Sequence, residues 1–391
     1  MVLRLLRELA QQPQKIGVME IIAPPWSAQP AARDWVAPVS RRGHARSFHA
    51  GLPGYAPTPL VDLPALAAGL GVGQVLVKDE SARLGLPAFK VLGASWACAQ
   101  VVAGRTGADL NLAALRQAAQ GSGLRLVTAT DGNHGRAVAW MARLLGVTAT
   151  VFGPAVMTAT ARQAIVSEGA QFEEVDGNYD DAVRAALAYT QDGAGRQLVQ
   201  DTAWPGYEQV PARIVEGYET LAGEIDDALT ISPDLVAVPV GVGSLAQAVV
   251  THYRRAGASR PAVLSVEPDT AACFLASMVA GKPVTVPTGA TIMAGLNCGT
   301  PSSAAWPVLR AGCDAAVAVG DADAATAVDD LARLGISSGP SGAATLAGVR
   351  AALTGPGAGA RREALRIDGG SVVVLLSTEG RSAPGPLARQ P

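Results

Sequence analysis

The stretch LVAVPVGVGSLAQAVVTHY, residues 235–253, is the clearest indication of the fold in this sequence. It begins with six residues that carry no polar side chain, turns at Gly241 and Gly243, and ends in an alanine-containing helical pattern over 245–253. A uniformly apolar run is typical of a strand that is buried on both faces of a parallel sheet. A strand, a glycine turn and a helix in this order predict one repeat of an α/β fold.

The same alternation continues on both sides of this stretch. Further short strands are predicted at 75–78, 124–128, 149–152, 172–175, 263–266, 315–319 and 372–376. Helical patterns lie between them, for example over 136–145, 179–189 and 322–334. This order indicates α/β architecture with mainly parallel sheets. The remaining segments are expected to form a loosely packed arm at 1–50, an exposed loop at 355–370 and a frayed tail at 382–391.

The composition excludes several classes of protein. The chain has 391 residues, of which 49% are hydrophobic, and this is enough apolar material for a large core. Its net charge of −2 gives no attraction to nucleic acid or to an anionic membrane. No apolar run reaches the roughly 18 residues that a membrane helix needs. The 4 cysteines show no C-x-x-C spacing, so we expect no metal site and predict thiols in a reducing cytoplasm.

Lys90 lies in the run LPAFKVLGA, residues 86–94, at the start of a predicted helix. Only 4 lysines occur in the chain: Lys15, Lys78, Lys90 and Lys282. Burial and the positive end of a helix dipole both disfavour an ammonium charge, so the pKa of Lys90 is expected to be lowered. A neutral amine is what Schiff-base chemistry requires. From these residues alone, the alternative is a lysine that extends from a surface helix into solvent.

Two more loops follow predicted strands and open predicted helices. The first, TATDGNHG over 128–135, would present backbone N–H groups that suit a carboxylate, although Asp131 or Asn133 as an ordinary helix cap is the alternative. The second is the turn at 241–244, where two glycines and a serine suit a phosphate. A tight structural turn is the alternative there, because the turn matches neither the Walker A loop nor G-x-G-x-x-G.

A late motif, LLSTEG over 375–380, ends the last predicted strand. The hydroxyls of Ser377 and Thr378 stand at the carboxyl end of that strand, where side chains in α/β sheets commonly face a ligand. An ordinary turn is the alternative interpretation, because serine and glycine are frequent turn residues.

Taken together and in this order, the motifs resemble those of the fold-type II pyridoxal-5′-phosphate (PLP) enzymes, the tryptophan-synthase-β-like family that includes threonine dehydratases. That family carries a lysine in F-K-x-x-G-A, an S-x-G-N-H loop, a glycine-rich phosphate loop and a late serine or threonine. The resemblance runs from about Phe48 to Gly380. It implies two three-layer α/β domains with PLP in the cleft between them. The implied division is an arm at 1–50, a large PLP-binding domain at 51–107 plus 201–391, and a small α/β domain at 108–200.

Within that family the chain is most similar to the branch that releases ammonia from 2,3-diaminopropionate. The similar stretches are FHAGLPGYAPTPL (48–60), VKDESARLGLPAFKVLGAS (77–95), ATDGNHGRAVAW (129–140), VQDTAWPGYEQVP (199–211), IMAGLNCGTPS (292–302) and LLSTEG (375–380). Asp131 separates this branch from the dehydratases, which usually carry a small residue there. The resemblance implies a cytoplasmic, homodimeric carbon–nitrogen lyase that converts D- or L-2,3-diaminopropionate to pyruvate and two ammonia.

Two alternatives stay open at this point. One is a serine or threonine dehydratase, or another β-eliminase or β-replacement enzyme of the same fold. The other is a protein that binds PLP or an amino acid without catalysis. A second acidic residue, Asp201, favours the diaminopropionate branch, because the other substrates have no second ammonium group to recognise.

The resemblance also implies a role for each site residue. Lys90 would hold PLP and take the Cα proton of an L-substrate, and Asp131 would take that of a D-substrate. The PLP phosphate would lie on the N–H groups of Gly241, Val242, Gly243, Ser244 and Leu245. Asn133 would bind the ring oxygen, and Thr378, or else Ser377, the ring nitrogen. The substrate would be bound by Thr130, Gly132 and His134 at its carboxylate and by Asp201 and Tyr207 at its second ammonium group.

Cys273 and Cys298 lie in segments that the resemblance brings towards the same site. Two states are open for them, a disulfide and a pair of thiols. The expected cytoplasmic compartment favours the thiols.

Overall fold

The structure is a computed structural model that describes residues 25–38 and 44–381. Its strands are β1 (Trp26–Ala28), β2 (Leu60–Asp62), β3 (Gln74–Asp79), β4 (Arg125–Ala129), β5 (Thr148–Pro154), β6 (Gln171–Val175), β7 (Arg196–Leu198), β8 (Leu235–Pro239), β9 (Ala262–Pro268), β10 (Ala315–Val319) and β11 (Val372–Ser377). The first seven helices are α1 (His44–Ala50), α2 (Pro64–Leu70), α3 (Lys90–Thr106), α4 (Leu112–Ala119), α5 (Asn133–Leu145), α6 (Ala159–Ser167) and α7 (Tyr179–Gln191). The others are α8 (Gln209–Ala228), α9 (Ser244–Tyr253), α10 (Cys273–Ala280), α11 (Ala305–Gly312), α12 (Asp321–Arg333), α13 (Pro340–Leu353) and α14 (Ala358–Leu365).

The strands form two sheets. The larger sheet has the order β1-β10-β9-β8-β11-β3-β2 and is parallel except for its two edge strands, β1 and β2. The smaller sheet has the order β6-β5-β4-β7 and is parallel throughout. Two mainly parallel sheets with helices around them confirm the predicted α/β fold class. Where one domain ends and the next begins stays a prediction.

The structure corrects two of the expected segments. Residues 26–28 are not a loose arm, because they pair antiparallel with β10, and the nearby Arg33 forms a buried ion pair of 2.8 Å with Asp314. Residues 355–370 are not one long loop, because α14 lies within them and buries Leu365 against the core. The predicted tail at 382–391 and the first 24 residues of the predicted arm lie outside the described residues.

The two sheets bring five loop segments together. Strands β3, β4, β7, β8 and β11 are parallel within their sheets, and each is followed by a segment that carries predicted site residues. The carboxyl ends of such strands are where α/β proteins bind ligands. Helix α3, which begins at Lys90, is held close to α8 at Gly93, where a Cβ would come within 2.5 Å of Tyr218.

No helix in the described ranges has the length and apolar character that a membrane crossing needs.

Candidate active site

Lys90 is the first residue of α3, and its Nζ lies 2.6 Å from Oδ2 of Asp201. The lysine side chain is 23% exposed and the aspartate side chain 7%, so the pair is largely shielded from water. Burial by itself lowers the pKa of Lys90, but the carboxylate of Asp201 outweighs it and holds this pKa above its ordinary value. The expected lowering of the Lys90 pKa is therefore wrong. That expectation counted burial and the helix dipole but not a carboxylate 111 residues away in the chain.

His134 stands beside this pair. Its Nε2 donates a hydrogen bond of 2.8 Å to the carbonyl of Val199, which leaves Nδ1 as an acceptor. That Nδ1 lies 3.9 Å from Oδ2 of Asp201 and is buried without a hydrogen-bond partner among the described residues. Burial lowers the pKa of His134, so its ring is neutral near pH 7. Burial would raise the pKa of Asp201, but Lys90 holds it well below its usual range.

The loop at 130–134 is built around the buried hydroxyl of Thr130. That oxygen accepts hydrogen bonds of 2.9 Å from the N–H groups of Gly132 and Gly135 at the start of α5. A side chain at position 135 would place its Cβ 2.4 Å from the Thr130 methyl group, so glycine is required there. Because the hydroxyl accepts twice, its own proton is free to be donated to a ligand.

Asp131, at the beginning of this loop, keeps an exposed surface although protein atoms surround it closely, and it lies within electrostatic reach of Lys90 and Asp201. Desolvation by the surrounding protein raises the pKa of Asp131, Lys90 lowers it, and Asp201 raises it again. The net effect is a pKa above the ordinary aspartate value, which favours a group that takes and returns a proton.

The glycine turn before α9 leaves little room for side chains. Gly243 has φ +100°, which favours glycine, and a Cβ at Gly241 would lie 3.0 Å from the carbonyl oxygen of Gly295. The first N–H groups of an α-helix have no partner within the helix, so the start of α9 can bind an anion. The hydroxyl of Ser244 donates to the backbone carbonyl of Asp201 at 2.9 Å and so connects the turn to the Lys90 pair.

Asn133 is hydrogen-bonded to Glu379, to whose Oε2 its Nδ2 donates at 2.9 Å. The other carboxylate oxygen accepts from the N–H of Ser341 at 3.3 Å. Of the two late hydroxyls, that of Ser377 donates to Ser338 at 2.8 Å. The hydroxyl of Thr378, which is 3% exposed, makes no hydrogen bond with the other described residues, so it is the one available at this strand end.

The structure gives Tyr207 a supporting position. Its hydroxyl accepts from the N–H of Gln200 at 2.8 Å and donates to the carbonyl of Leu198 at 3.0 Å. Its ring stacks on Trp204 with centroids 4.4 Å apart. A direct contact of this hydroxyl with a substrate would compete with both of those backbone bonds.

Four residues near this site were not singled out from the sequence: Tyr179, Gln200, Tyr218 and Glu379. Gln200 donates to Asp201 and to Tyr179. Tyr218 places near Lys90 a buried hydroxyl that has no partner within the ranges that the structure describes. Gln200 and Glu379 stand next to predicted site residues, so adjacency was a usable signal for them. Tyr179 and Tyr218 lie in helices α7 and α8 and carry no such signal.

Cys273 and Cys298 both reach the glycine turn. A Cβ at Gly241 would lie 3.2 Å from Sγ of Cys298, and Sγ of Cys273 lies 3.9 Å from the Gly241 carbonyl oxygen. Both are free thiols in the described part of the chain, as are Cys98 and Cys313. Burial raises the pKa of Cys298 to about 12, so its thiol is protonated at neutral pH.

Comparison with known proteins gives consistent matches over nearly the whole chain. The family described as "Pyridoxal-phosphate dependent enzyme" matches residues 52–379. Diaminopropionate ammonia-lyase of Escherichia coli (strain K12) is 38% identical over 348 residues, which cover 86% of this chain and 87% of that protein. The protein of the same name from Salmonella typhimurium is 38% identical over 359 residues, which cover 86% and 88%. The solved structure of the E. coli protein in complex with an aminoacrylate-PLP azomethine reaction intermediate has a TM-score of 0.79 at 35% identity, and the match covers 90% of this chain and 91% of that one.

Proposed function

The chain belongs to the family of pyridoxal-phosphate-dependent enzymes, and we propose that it eliminates ammonia from 2,3-diaminopropionate. The reaction removes the Cα proton and the Cβ amino group, and water then converts the released unsaturated amine to pyruvate and a second ammonia. Relatives with 38% identity over most of both chains carry this activity in their names. A small amino acid is accordingly the substrate class of this carbon–nitrogen lyase.

The observation that carries the proposal is the pair of acceptors next to Lys90. Oδ2 of Asp201 and Nδ1 of His134, which has no hydrogen-bond partner in the described part of the chain, lie 3.9 Å apart, and both are buried. Because Nδ1 is an acceptor, the His134 side chain is assigned to the second ammonium group and not to the carboxylate. An ammonium group has three N–H donors and a positive charge, so it satisfies the aspartate charge and the histidine lone pair at once. The hydroxyl of serine or threonine brings one donor and no charge. The site therefore fits a second ammonium group better than it fits a dehydratase substrate.

The residues present also fit the cofactor. The cradle at Gly241 and Gly243, which side chains would fill, suits the phosphate, with the N–H groups of Val242, Ser244 and Leu245 beside it. Asn133 and Thr378 have polar groups available for the ring oxygen and ring nitrogen, and the Lys90 amine would form the covalent attachment. When bound, the cofactor supplies an electron sink for the electron pair that is left on Cα.

Two residues are proposed as bases. Lys90 takes the Cα proton of the L-isomer, and Asp131 that of the D-isomer, because enantiomers bound through the same carboxylate present this proton to opposite faces. The substrate carboxylate is held by the Thr130 hydroxyl, whose proton is free to donate, and by the loop N–H groups around Gly132. The raised pKa of Asp131 suits a general base that works near neutral pH.

A product assay on the purified holoenzyme tests the function. Diaminopropionate should give two ammonia for each pyruvate, with a higher kcat/KM than D- or L-serine or threonine. A higher kcat/KM on serine or threonine would identify a dehydratase, and the absence of product from every substrate would identify a binding protein. A homodimer and a cytoplasmic location stay predictions, to be checked by sedimentation and by cell fractionation.

A further inference from the structure

Gln200 is fully buried and uses its whole side-chain amide in hydrogen bonds. Oε1 accepts from the N–H of Ala129 at 2.9 Å and from the hydroxyl of Thr128 at 3.2 Å. Nε2 donates to the hydroxyl of Tyr179 at 2.7 Å and to Oδ1 of Asp201 at 3.3 Å. A backbone N–H can only donate and a carboxylate can only accept, so these partners fix which end of the amide is which.

The hydrogen bond from Gln200 gives the two carboxylate oxygens of Asp201 different partners. Oδ1 receives the Gln200 amide, whereas Oδ2 receives Lys90 and faces Nδ1 of His134. The terminal torsion of an aspartate is broad, so an unheld carboxylate turns away from any single direction. The Gln200 amide removes that freedom and keeps Oδ2 pointed at the reacting end of the site.

The same amide connects the two ends of the substrate site. Thr128 and Ala129 end strand β4 and lead into the loop at 130–134, which is proposed to hold the substrate carboxylate. Asp201, on the other side of the amide, is proposed to hold the second ammonium group. In 2,3-diaminopropionate these two groups are separated by two carbon atoms, so the distance between their binding residues must be kept constant.

We propose that Gln200 is the positioning residue that makes the site selective for a second ammonium group, by aiming Oδ2 of Asp201 and fixing its distance from the loop at 130–134. The inference rests on the proposed function. Gln200 does not touch the reacting atoms and acts only through Asp201.

The charges that face Asp201 determine how this is tested. The titratable groups around it, from every element that packs on it, are Lys90, Asp131, His134, Tyr179, Tyr207, Tyr218 and Cys298. Lys90 and His134 face Oδ2, and the neutral Gln200 amide faces Oδ1. Changing that amide to a carboxylate alters the charge on the Oδ1 side and leaves the other groups in place.

The decisive variant is Gln200→Glu, which keeps the length of the side chain and the acceptor for Ala129 and Thr128. It replaces the donor next to Oδ1 with a second carboxylate oxygen, and two adjacent carboxylates raise the pKa of one of them. The acid limb of kcat/KM for diaminopropionate should therefore move to higher pH. At neutral pH the value should fall about tenfold or more, mainly through KM, because a bond to a charged group is lost. Serine turnover should change much less.

Thr128→Val is the matched control. It removes a hydrogen bond from the opposite end of the same amide and adds no charge near Asp201. It should lower the melting temperature without moving the pH limb or the ratio of diaminopropionate to serine turnover. If Gln200→Glu does not fold, Gln200→Met serves as the test variant. It should lower the ratio of diaminopropionate to serine turnover without moving the acid limb of the pH profile.

Two results separate the inference from the proposed function. The inference alone is overturned if a folded, PLP-loaded Gln200→Glu enzyme loses kcat/KM equally on diaminopropionate and on serine. It is also overturned if the acid limb of the pH profile does not move. An unchanged ratio in Gln200→Met does the same. A wild-type enzyme without preference for diaminopropionate overturns the proposed function, and the inference falls with it.

Discussion

Two lysine–carboxylate clusters lie among the residues that the structure describes, and their surroundings differ. In the first, Nζ of Lys78 lies 2.7 Å from Glu224, which also binds Arg83 at 2.7 Å. Thr58 and Glu80 complete its hydrogen bonds. In the second, Lys90 binds Asp201 at 2.6 Å, but Nδ1 of His134 and the hydroxyl of Tyr218 are buried without hydrogen-bond partners among residues 25–38 and 44–381.

The difference distinguishes a structural ion cluster from a functional one. A buried polar network stabilises a fold when every donor and acceptor is paired, and unpaired buried groups cost free energy. In the Lys78 cluster every side-chain nitrogen and oxygen has at least one hydrogen-bond partner, so this cluster holds together β3, α8 and the segment that leads to Lys90. The Lys90 cluster keeps unpaired acceptors and donors, and such groups are available to a ligand. If this distinction holds, substitutions in the Lys90 cluster lower activity strongly, and substitutions in the Lys78 cluster lower stability instead.

The largest effect concerns which lysine reacts. Lys90→Ala should abolish elimination, a loss of at least about 10⁴-fold, because the cofactor attachment and a general base are both removed. In the wild-type holoenzyme, borohydride reduction followed by peptide mapping should place the pyridoxyl group on Lys90. A label on Lys78 or Lys282 would contradict the assignment of Lys90 as the reactive lysine. It would also contradict the distinction between the Lys78 and Lys90 clusters.

A smaller effect on activity is expected from a substitution of Asp131, which lies next to the Lys90 cluster. Asp131→Asn should lose about 10²- to 10⁴-fold in kcat on D-diaminopropionate, the usual contribution of a general base, and far less on the L-isomer. Both isomers must be assayed on one preparation with its PLP content measured. If the variant keeps D-activity while L-activity collapses, the two bases have been assigned to the wrong faces.

Asp201→Asn keeps the shape of the side chain and removes its charge. A charge-assisted hydrogen bond contributes about 1.5–3 kcal/mol, so kcat/KM for diaminopropionate should drop roughly 10- to 150-fold. Serine, which has no second ammonium group, serves as the control substrate. Equal losses on both substrates would make Asp201 a structural residue like Glu224.

The smallest effect on activity is expected in the paired cluster. Glu224→Gln should destabilise the fold by about 3–5 kcal/mol, because Lys78 and Arg83 lose a buried counter-charge. The folded enzyme should keep its kcat/KM. A variant of normal stability with lower activity would show that this cluster also has a functional role.

The same carboxylate gives a pH dependence of stability. Burial would raise the pKa of Glu224, but Arg83 and Lys78 lower it from 4.5 to about 2. A depressed pKa in the folded state means that the contribution is complete above the unfolded value and is lost as pH falls from about 4.5 towards 2. Chemical denaturation of wild type and Glu224→Gln across that range should show a shallower pH dependence in the variant.

Much of the fold was predictable because its longer strands carry a local signal. The apolar runs at β5, β8 and β11 were identified from the sequence. Strands β1, β2 and β7 have three residues each, which is too short for a period to be recognised, and they form only because longer strands pair with them. Helix α14 was missed because Gly355 and Gly357 immediately precede its first residue and favour a loop assignment.

The candidate site likewise contains some features that a local motif predicts and others that depend on distant parts of the chain. Lys90, Asp131 and the glycine turn stand in local motifs and were identified from the sequence. The raised pKa of Lys90 depends on an aspartate 111 residues away, and the bond from Asn133 to Glu379 joins residues 246 positions apart. Such pairings are determined by how two sheets meet, and no pattern along the chain reports them.

Strand β1 has a consequence for solubility. It covers the outer edge of β10, whose five residues are all alanine or valine, while the equally short β2 covers the opposite edge of the sheet. An apolar edge strand without a partner is a template for pairing with another chain. A protein that lacks residues 1–28 would therefore expose β10 and aggregate through it, even with every catalytic residue intact.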